Sequence, residues 1–299
     1  MLDIRNDNHY QLILILRNLC YNDFMKKIII SLIIVTTISF AKLNTIVSIL
    51  PQQTFLKAIG GDKINITLMV KPGNSPHTYE PKPSQMIQIH KANIYFTIGV
   101  EFEKVWLPKF KSQNQDMIIV NSEKGIEKLS IQSTHKHKNT EVLDPHIWTN
   151  PLNVKKIAIN VYEALCKYDL NNKNYYKNNL DKFLLKIDNT NNTIENILKD
   201  SKNSKFMVFH PSWQYFAKKY NLIQLPIELA GKKPKPKELI NLIKIAKKEG
   251  VKVIFVSPEF SNKLAFIIAS ELNIEVKKVS PLNPQWSKNL VDLAKSISK

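Results

Sequence analysis

Residues 174–201 contain neither proline nor glycine, and they place Tyr176, Leu180, Phe183, Leu184, Ile187, Ile194 and Leu198 at helical spacing. Apolar positions recurring every three to four residues define one buried stripe on a helix. A single helix of about 28 residues, roughly 40 Å at 1.5 Å per residue, is therefore expected, with Asn171 or Asn172 placed to cap its start. A rod of that length constrains everything around it. The segments before and after it must be braced along its side, because no flexible Gly/Ser linker separates them.

On either side of the rod, short apolar runs alternate with amphipathic stretches, the pattern of parallel sheets covered by helices. Before it, residues 46–50, 64–70, 94–98 and 117–120 read as buried strands, and 53–59, 84–91 and 103–110 as helices. After it, strands are expected at 206–209, 223–229, 253–256 and 274–279, and helices at 212–220, 237–249, 262–272 and 287–297. The fold class is α/β: two lobes, each a parallel-type sheet flanked by helices, joined by one long rigid helix. The expected boundaries are 42–172 for the N-terminal lobe, 173–201 for the linking helix and 202–299 for the C-terminal lobe.

The first 41 residues differ in kind. Met25-Lys26-Lys27 precede an apolar run over 28–40, and Ser39-Phe40-Ala41 offers small residues where a signal peptidase reads. This is the grammar of a secretory signal, with Met25 the natural start and a mature chain from about Lys42. No Cys follows Ala41 to accept a lipid, and the run is short for a permanent bilayer span. A periplasmic, soluble, monomeric protein is expected. Of the two cysteines, Cys20 falls in the leader, so Cys166 stands alone in the mature chain, and its apolar setting suggests a small packed hydrophobe.

A formal charge of +18 would suit a nucleic-acid binder, but the arginines are Arg5 and Arg17, both in the leader. A mature chain whose basic residues are all Lys lacks the guanidinium fork that makes the commonest base contact, so a solvated basic surface is the sounder reading and no nucleic-acid partner is expected.

Three histidines sit in settings that suggest chemistry. His77 lies in the Pro-rich loop Lys71-Pro72-Gly73-Asn74-Ser75-Pro76-His77-Thr78-Tyr79-Glu80-Pro81, beyond the carboxyl end of a strand, where open α/β sheets collect ligands. His146, in Asp144-Pro145-His146-Ile147-Trp148, is stiffened by proline and has Asp144 near enough to orient its ring; a helix can follow from Pro151 or Leu152. His210 ends the apolar run Phe206-Met207-Val208-Phe209 and precedes Pro211-Ser212-Trp213, with Ser212 a candidate helix cap. Taken singly, each could be a solvated loop residue, a capping-loop residue or a satisfied core imidazole. Jointly, three imidazoles meeting between two lobes suit Zn²⁺ and leave a fourth position open.

The ordered set Pro76-His77-Thr78-Tyr79-Glu80-Pro81-Lys82-Pro83-Ser84, Asp144-Pro145-His146-Ile147-Trp148 and Phe209-His210-Pro211-Ser212 resembles the ligand motifs of the zinc and manganese class of bacterial solute-binding proteins for ABC importers. The similarity extends over residues 42–299. It implies two lobes on a rigid helix, no enzymatic activity, high-affinity capture of Zn²⁺ as cargo in the cleft, and delivery to an inner-membrane ABC permease. Histidine at the third motif favours zinc over Mn²⁺. Two departures stand out. The Asp that commonly supplies the family's fourth ligand is replaced in Ser280-Pro281-Leu282, and the Glu that some members place before the first His is here Pro76. Ser280 or Glu80 is left to fill the fourth position or to hold a water there. His135 and His137 fall where zinc carriers of this class have a His-rich loop, and His90 reads as packed or exposed.

Two other functions fit parts of the pattern: a zinc hydrolase or lyase built on three His, with Glu80 as its base, and an adhesin-like surface protein.

Overall fold

The computed structural model describes residues 42–131, 143–228, 234–260 and 263–298, together with residue 17. The rest of the leader, His135 and His137 lie outside these residues. Two four-stranded parallel sheets form the framework. The first contains β1 (Leu43–Val47), β2 (Ile64–Leu68), β3 (Ile94–Thr97) and β4 (Ile118–Asn121) in the order β2-β1-β3-β4. The second contains β5 (Lys205–Val208), β6 (Ile223–Pro226), β7 (Val253–Val256) and β8 (Glu275–Lys278) in the order β6-β5-β7-β8. The two orders match strand for strand. In each, the chain leaves the first strand of the lobe in one direction and returns on its other side, which opens a crevice at the carboxyl ends of β1 and β3 and of β5 and β7.

Around the first sheet lie α1 (Leu50–Gly60), α2 (Pro83–His90), α3 (Glu101–Gln113) and α4 (Pro151–Tyr168). Helix α5 (Lys173–Leu198), 26 residues long, leads to the second sheet, which carries α6 (Gln214–Lys219), α7 (Pro236–Lys248), α8 (Lys263–Leu272) and α9 (Trp286–Ser298). Every strand read from the sequence is present, β7 with the expected ends and the others with shifted ones. β1 runs 43–47 and not 46–50, because Pro51 lacks an amide hydrogen and suits the first turn of a helix, so Leu50 opens α1. β6 ends at Pro226 and not at 229, although the amides of Ile227 (2.8 Å) and Glu228 (2.9 Å) still donate to the carbonyls of Val208 and Phe209.

Two expected caps are not formed. Asn172 precedes α5, but its side-chain NH₂ donates to Asp169 (2.8 Å) and its oxygen accepts from no amide of the helix. Helix α6 starts behind Trp213, whose N–H donates to Gln224 (2.7 Å), while Ser212 only reaches the carbonyl of His210 (3.4 Å). Asn150 does cap α4, accepting from the amide of Leu152 (2.9 Å).

The rod reads both halves, as its periodicity requires. Near its start Phe183 packs on Phe55 of α1 (centroids 5.8 Å apart), and Asn179 donates to the carbonyl of Ile59 (3.0 Å). Further along, Asn191 accepts from Tyr220 (3.1 Å), and Thr190 bonds Ser287 of α9 (2.6 Å). One apolar core runs continuously from the first sheet through α5 to Phe206, Val208, Phe255 and Leu290. Cys166 is half-buried against that core. Among the described residues no helix is long and apolar enough to cross a membrane.

Behind the cleft wall, the buried Glu103 carboxyl accepts from the amides of Ile98 (2.9 Å) and Gly99 (2.7 Å) and from the Ser48 hydroxyl. Burial pushes its pKa up to about 7, against the pull of these donors. The turn it holds needs Gly99: φ is +83°, and a Cβ there would strike Glu123 at 2.2 Å. That turn aims the start of α3, with Glu101, at the cleft.

Candidate metal centre

The loop bearing His77 is stapled to the end of β2 by Gln85. Its amide donates to the carbonyls of Leu68 (3.1 Å) and Met69 (2.7 Å), and its oxygen accepts from Tyr79 (2.8 Å) and the Lys82 amide (3.0 Å). His77 lines the cleft with about a third of its side chain exposed. Glu101 stands 3.3 Å from its Nδ1.

His146 is set by a carboxylate. Asp144, fully buried, accepts from the backbone amide of His146 (2.9 Å) and lies 2.7 Å from its Nδ1. The carboxylate can only accept, so Nδ1 carries the hydrogen and the Nε2 lone pair is left for the cleft. Tyr215 of α6 fixes this loop from the other lobe. Its hydroxyl donates to the carbonyl of Asp144 (2.8 Å) and accepts from the amide of Leu129 (2.9 Å).

His210 follows β5 at the crevice of the second sheet. Phe260 stacks on its ring, centroids 4.3 Å apart at 22°, and Glu228 lies 3.7 Å from Nδ1. Both ring nitrogens are buried without a hydrogen-bond partner. An unsatisfied buried polar atom costs about 1–3 kcal/mol, so a side chain keeping two of them is built for something that binds there.

The three rings converge. One ligand nitrogen from each of His77, His146 and His210 lies within 4.8 Å of the others. The ring centroids of His77 and His146 stand 5.2 and 5.6 Å from that of His210. Glu80, by contrast, is exposed and does not line the cleft. Ser280 stands behind the lining and donates its hydroxyl to Glu259 (2.6 Å), which does line it. His90 is exposed on α2.

The sequence motifs did not single out Glu101, Glu228, Glu259 or Phe260. Each follows the carboxyl end of a strand, β3, β6 or β7, so the crevice rule applied to every strand puts them among its candidates without separating them from solvated residues.

The family model described as ZnuA, zinc-uptake complex component A, periplasmic, matches residues 46–298. The chain belongs to the ZnuA family. The high-affinity zinc uptake system protein ZnuA of Bacillus subtilis (strain 168) is 29% identical over 255 residues, covering 81% of this chain and 79% of that one. A crystal structure of ZnuA superposes with a TM-score of 0.81 at 40% identity, covering 86% of this chain and 98% of its own. A ZnuA deletion mutant with zinc bound gives 0.80 at 40% identity, covering 86% and 97%. ZnuA-family proteins are solute-binding components of an uptake complex and not enzymes, which sets aside the hydrolase reading.

Proposed function

We propose that this ZnuA-family protein captures Zn²⁺ in the periplasm with His77, His146 and His210, and passes it to an ABC-type permease in the inner membrane. The observation that carries the reading is His210, a buried imidazole with both nitrogens unpartnered, facing two further imidazoles across the cleft. A zinc ion with N to metal distances of about 2.0–2.1 Å satisfies all three rings at once and keeps a fourth position for water. Three nitrogens suit Zn²⁺ better than Mn²⁺, which favours oxygen donors. The match to zinc-uptake relatives supports the same cargo. Export through the leader, removed near Ala41, would put the chain where such a carrier works.

Crystals grown with zinc should show one anomalous peak at the zinc edge between the three rings, with three nitrogens and a water around it. A peak elsewhere, or a ligand set lacking any of the three, would remove the assignment.

The pH dependence follows from His77. Burial lowers its pKa below 6.5; Glu101 opposes the shift, and His210 and His146 reinforce it. Metal takes the neutral ring, so at pH 7 this ring has little proton to surrender. Zinc affinity is expected to stay level from about pH 8 to 7 and to fall once pH drops below about 6.5, where protons compete for His77. Equilibrium titration against a buffered zinc indicator checks this; affinity still climbing steeply between pH 7 and 8 would contradict it.

A further inference from the structure

Position 280 is where the resemblance calls for a ligating Asp, and this chain has Ser280. The missing carboxylate is nevertheless close by. The Ser280 hydroxyl donates to Glu259 Oε1 (2.6 Å), and the Ser257 hydroxyl donates to Glu259 Oε2. Two hydroxyls from the ends of neighbouring strands β7 and β8 thus hold one carboxylate in a fixed orientation. Each oxygen keeps a lone pair for a further donor.

The position of that carboxylate is informative. Glu259 lines the same cleft as His77, His146 and Glu101. Its neighbour Phe260 stacks on His210 and lies 6.2 Å, centroid to centroid, from His77. The loop after β7 is therefore pressed against the histidine cluster. The Glu259 carboxylate is not among the donor atoms that lie within 4.8 Å of one another, so any contact between it and an ion on the three rings would run through a water. Charge favours the same arrangement. Three neutral imidazoles add no charge of their own to offset a zinc dication, and Glu101, Asp144 and Glu228 each face a ring nitrogen (3.3, 2.7 and 3.7 Å), which leaves Glu259 to accept from a bound water and orient it.

Taking the zinc reading as its basis, we infer that Glu259, clamped by Ser257 and Ser280, is the positioning residue that anchors the fourth-position water on the cargo ion. It takes over from another strand end the role that the Asp at position 280 would have filled. The clamp also accounts for serine at 280, because a carboxylate there would repel Glu259.

The test uses the purified full chain, with zinc affinity measured by competition against a chromogenic chelator and Co²⁺ spectra as a probe of the fourth position. Glu259→Gln is expected to weaken zinc binding about 10- to 100-fold, the range for a residue that supports a metal site from behind its ligands, and to shift the visible Co²⁺ bands. Adding Ser280→Asp to Glu259→Gln should recover most of the affinity, a rescue that general loss of packing would not give. Melting curves of the metal-free chains show whether each variant folds. If Glu259→Gln does not, Ser280→Ala, which keeps the carboxylate but removes one clamp, should give a loss in the same direction. Zinc affinity within twofold of the parent and unchanged Co²⁺ bands in the folded variant would overturn the role of Glu259 while leaving the zinc site standing. A parent chain that fails to bind zinc would overturn both.

Discussion

Replacing His210 by alanine is expected to weaken zinc binding by roughly 100-fold while leaving the metal-free chain as stable as before, or more so. Zinc bound by a full protein ligand set contributes about 10–16 kcal/mol, so one donor of four carries about 3 kcal/mol, or two decades in affinity. The stability half of the result separates a ligand from a core histidine. In the metal-free chain both nitrogens of His210 are buried and unpartnered, a cost that alanine removes, offset against the lost stacking on Phe260. A histidine kept for packing would behave the other way, with a lower melting temperature and little change in zinc affinity. Chelator competition and thermal melts of the same two preparations decide between them. Equal affinity in parent and variant would remove His210 from the site.

That double signature depends on a fold the sequence announces more clearly than it announces the site's surroundings. The linking helix was legible because the spacing from Tyr176 to Leu198 is long, regular and unbroken by proline, so one periodicity decides it. Residues 253–256 were legible for a related reason: a fully buried parallel strand is a short apolar run with clear ends, and β7 matches it residue for residue. Boundaries failed where one residue carries two signals. The apolar run around Ile49 and Leu50 reads as strand until the effect of Pro51 on the next turn is weighed. The caps fail because Asn and Ser have several partners of similar strength nearby, and tertiary placement chooses among them: Asn172 finds Asp169, and Ser212 turns to the carbonyl of His210.

The three histidines stood out because histidine is rare and each sits at a strand or loop tip. Glutamates are common at such ends and usually solvated, so nothing in the local sequence separates Glu101, Glu228 and Glu259 from any other surface carboxylate. Only the folding of two sheets with the same strand order, their carboxyl ends turned to one cleft, brings these acids up behind the rings. The acids then act on the histidines and not on solvent: Asp144 sets a tautomer, and Glu101 opposes the lowering of His77's pKa.

The cleft keeps its shape because the lobes are locked behind it, and Trp286→Ala tests the lock. Trp286, at the start of α9, is 4% exposed and meets Phe55 of α1 edge to face, with centroids 5.5 Å apart. Its indole N–H donates to the carbonyl of Trp148 (2.7 Å), and the indole of Trp148 in turn donates to the carbonyl of Pro281 (2.8 Å). These bonds tie α9, the turn directly after His146 and the loop after β8 into one unit. Cutting a buried Trp to alanine costs about 3–5 kcal/mol, and here it also strips the Trp148 carbonyl of its donor. For a chain of this size each kcal/mol moves the melting temperature by about 2–4 °C, so a fall of roughly 10 °C is expected. Trp286→Phe keeps most of the ring and loses the hydrogen bond, so its cost should be near 1–2 kcal/mol. Zinc should restore part of the lost stability in both variants, since an ion held by His77, His146 and His210 bridges the same elements from the other side. A Trp286→Ala melt within 2–3 °C of the parent would show that α5, the Tyr215 bonds and the shared core hold the lobes together without the indole pair.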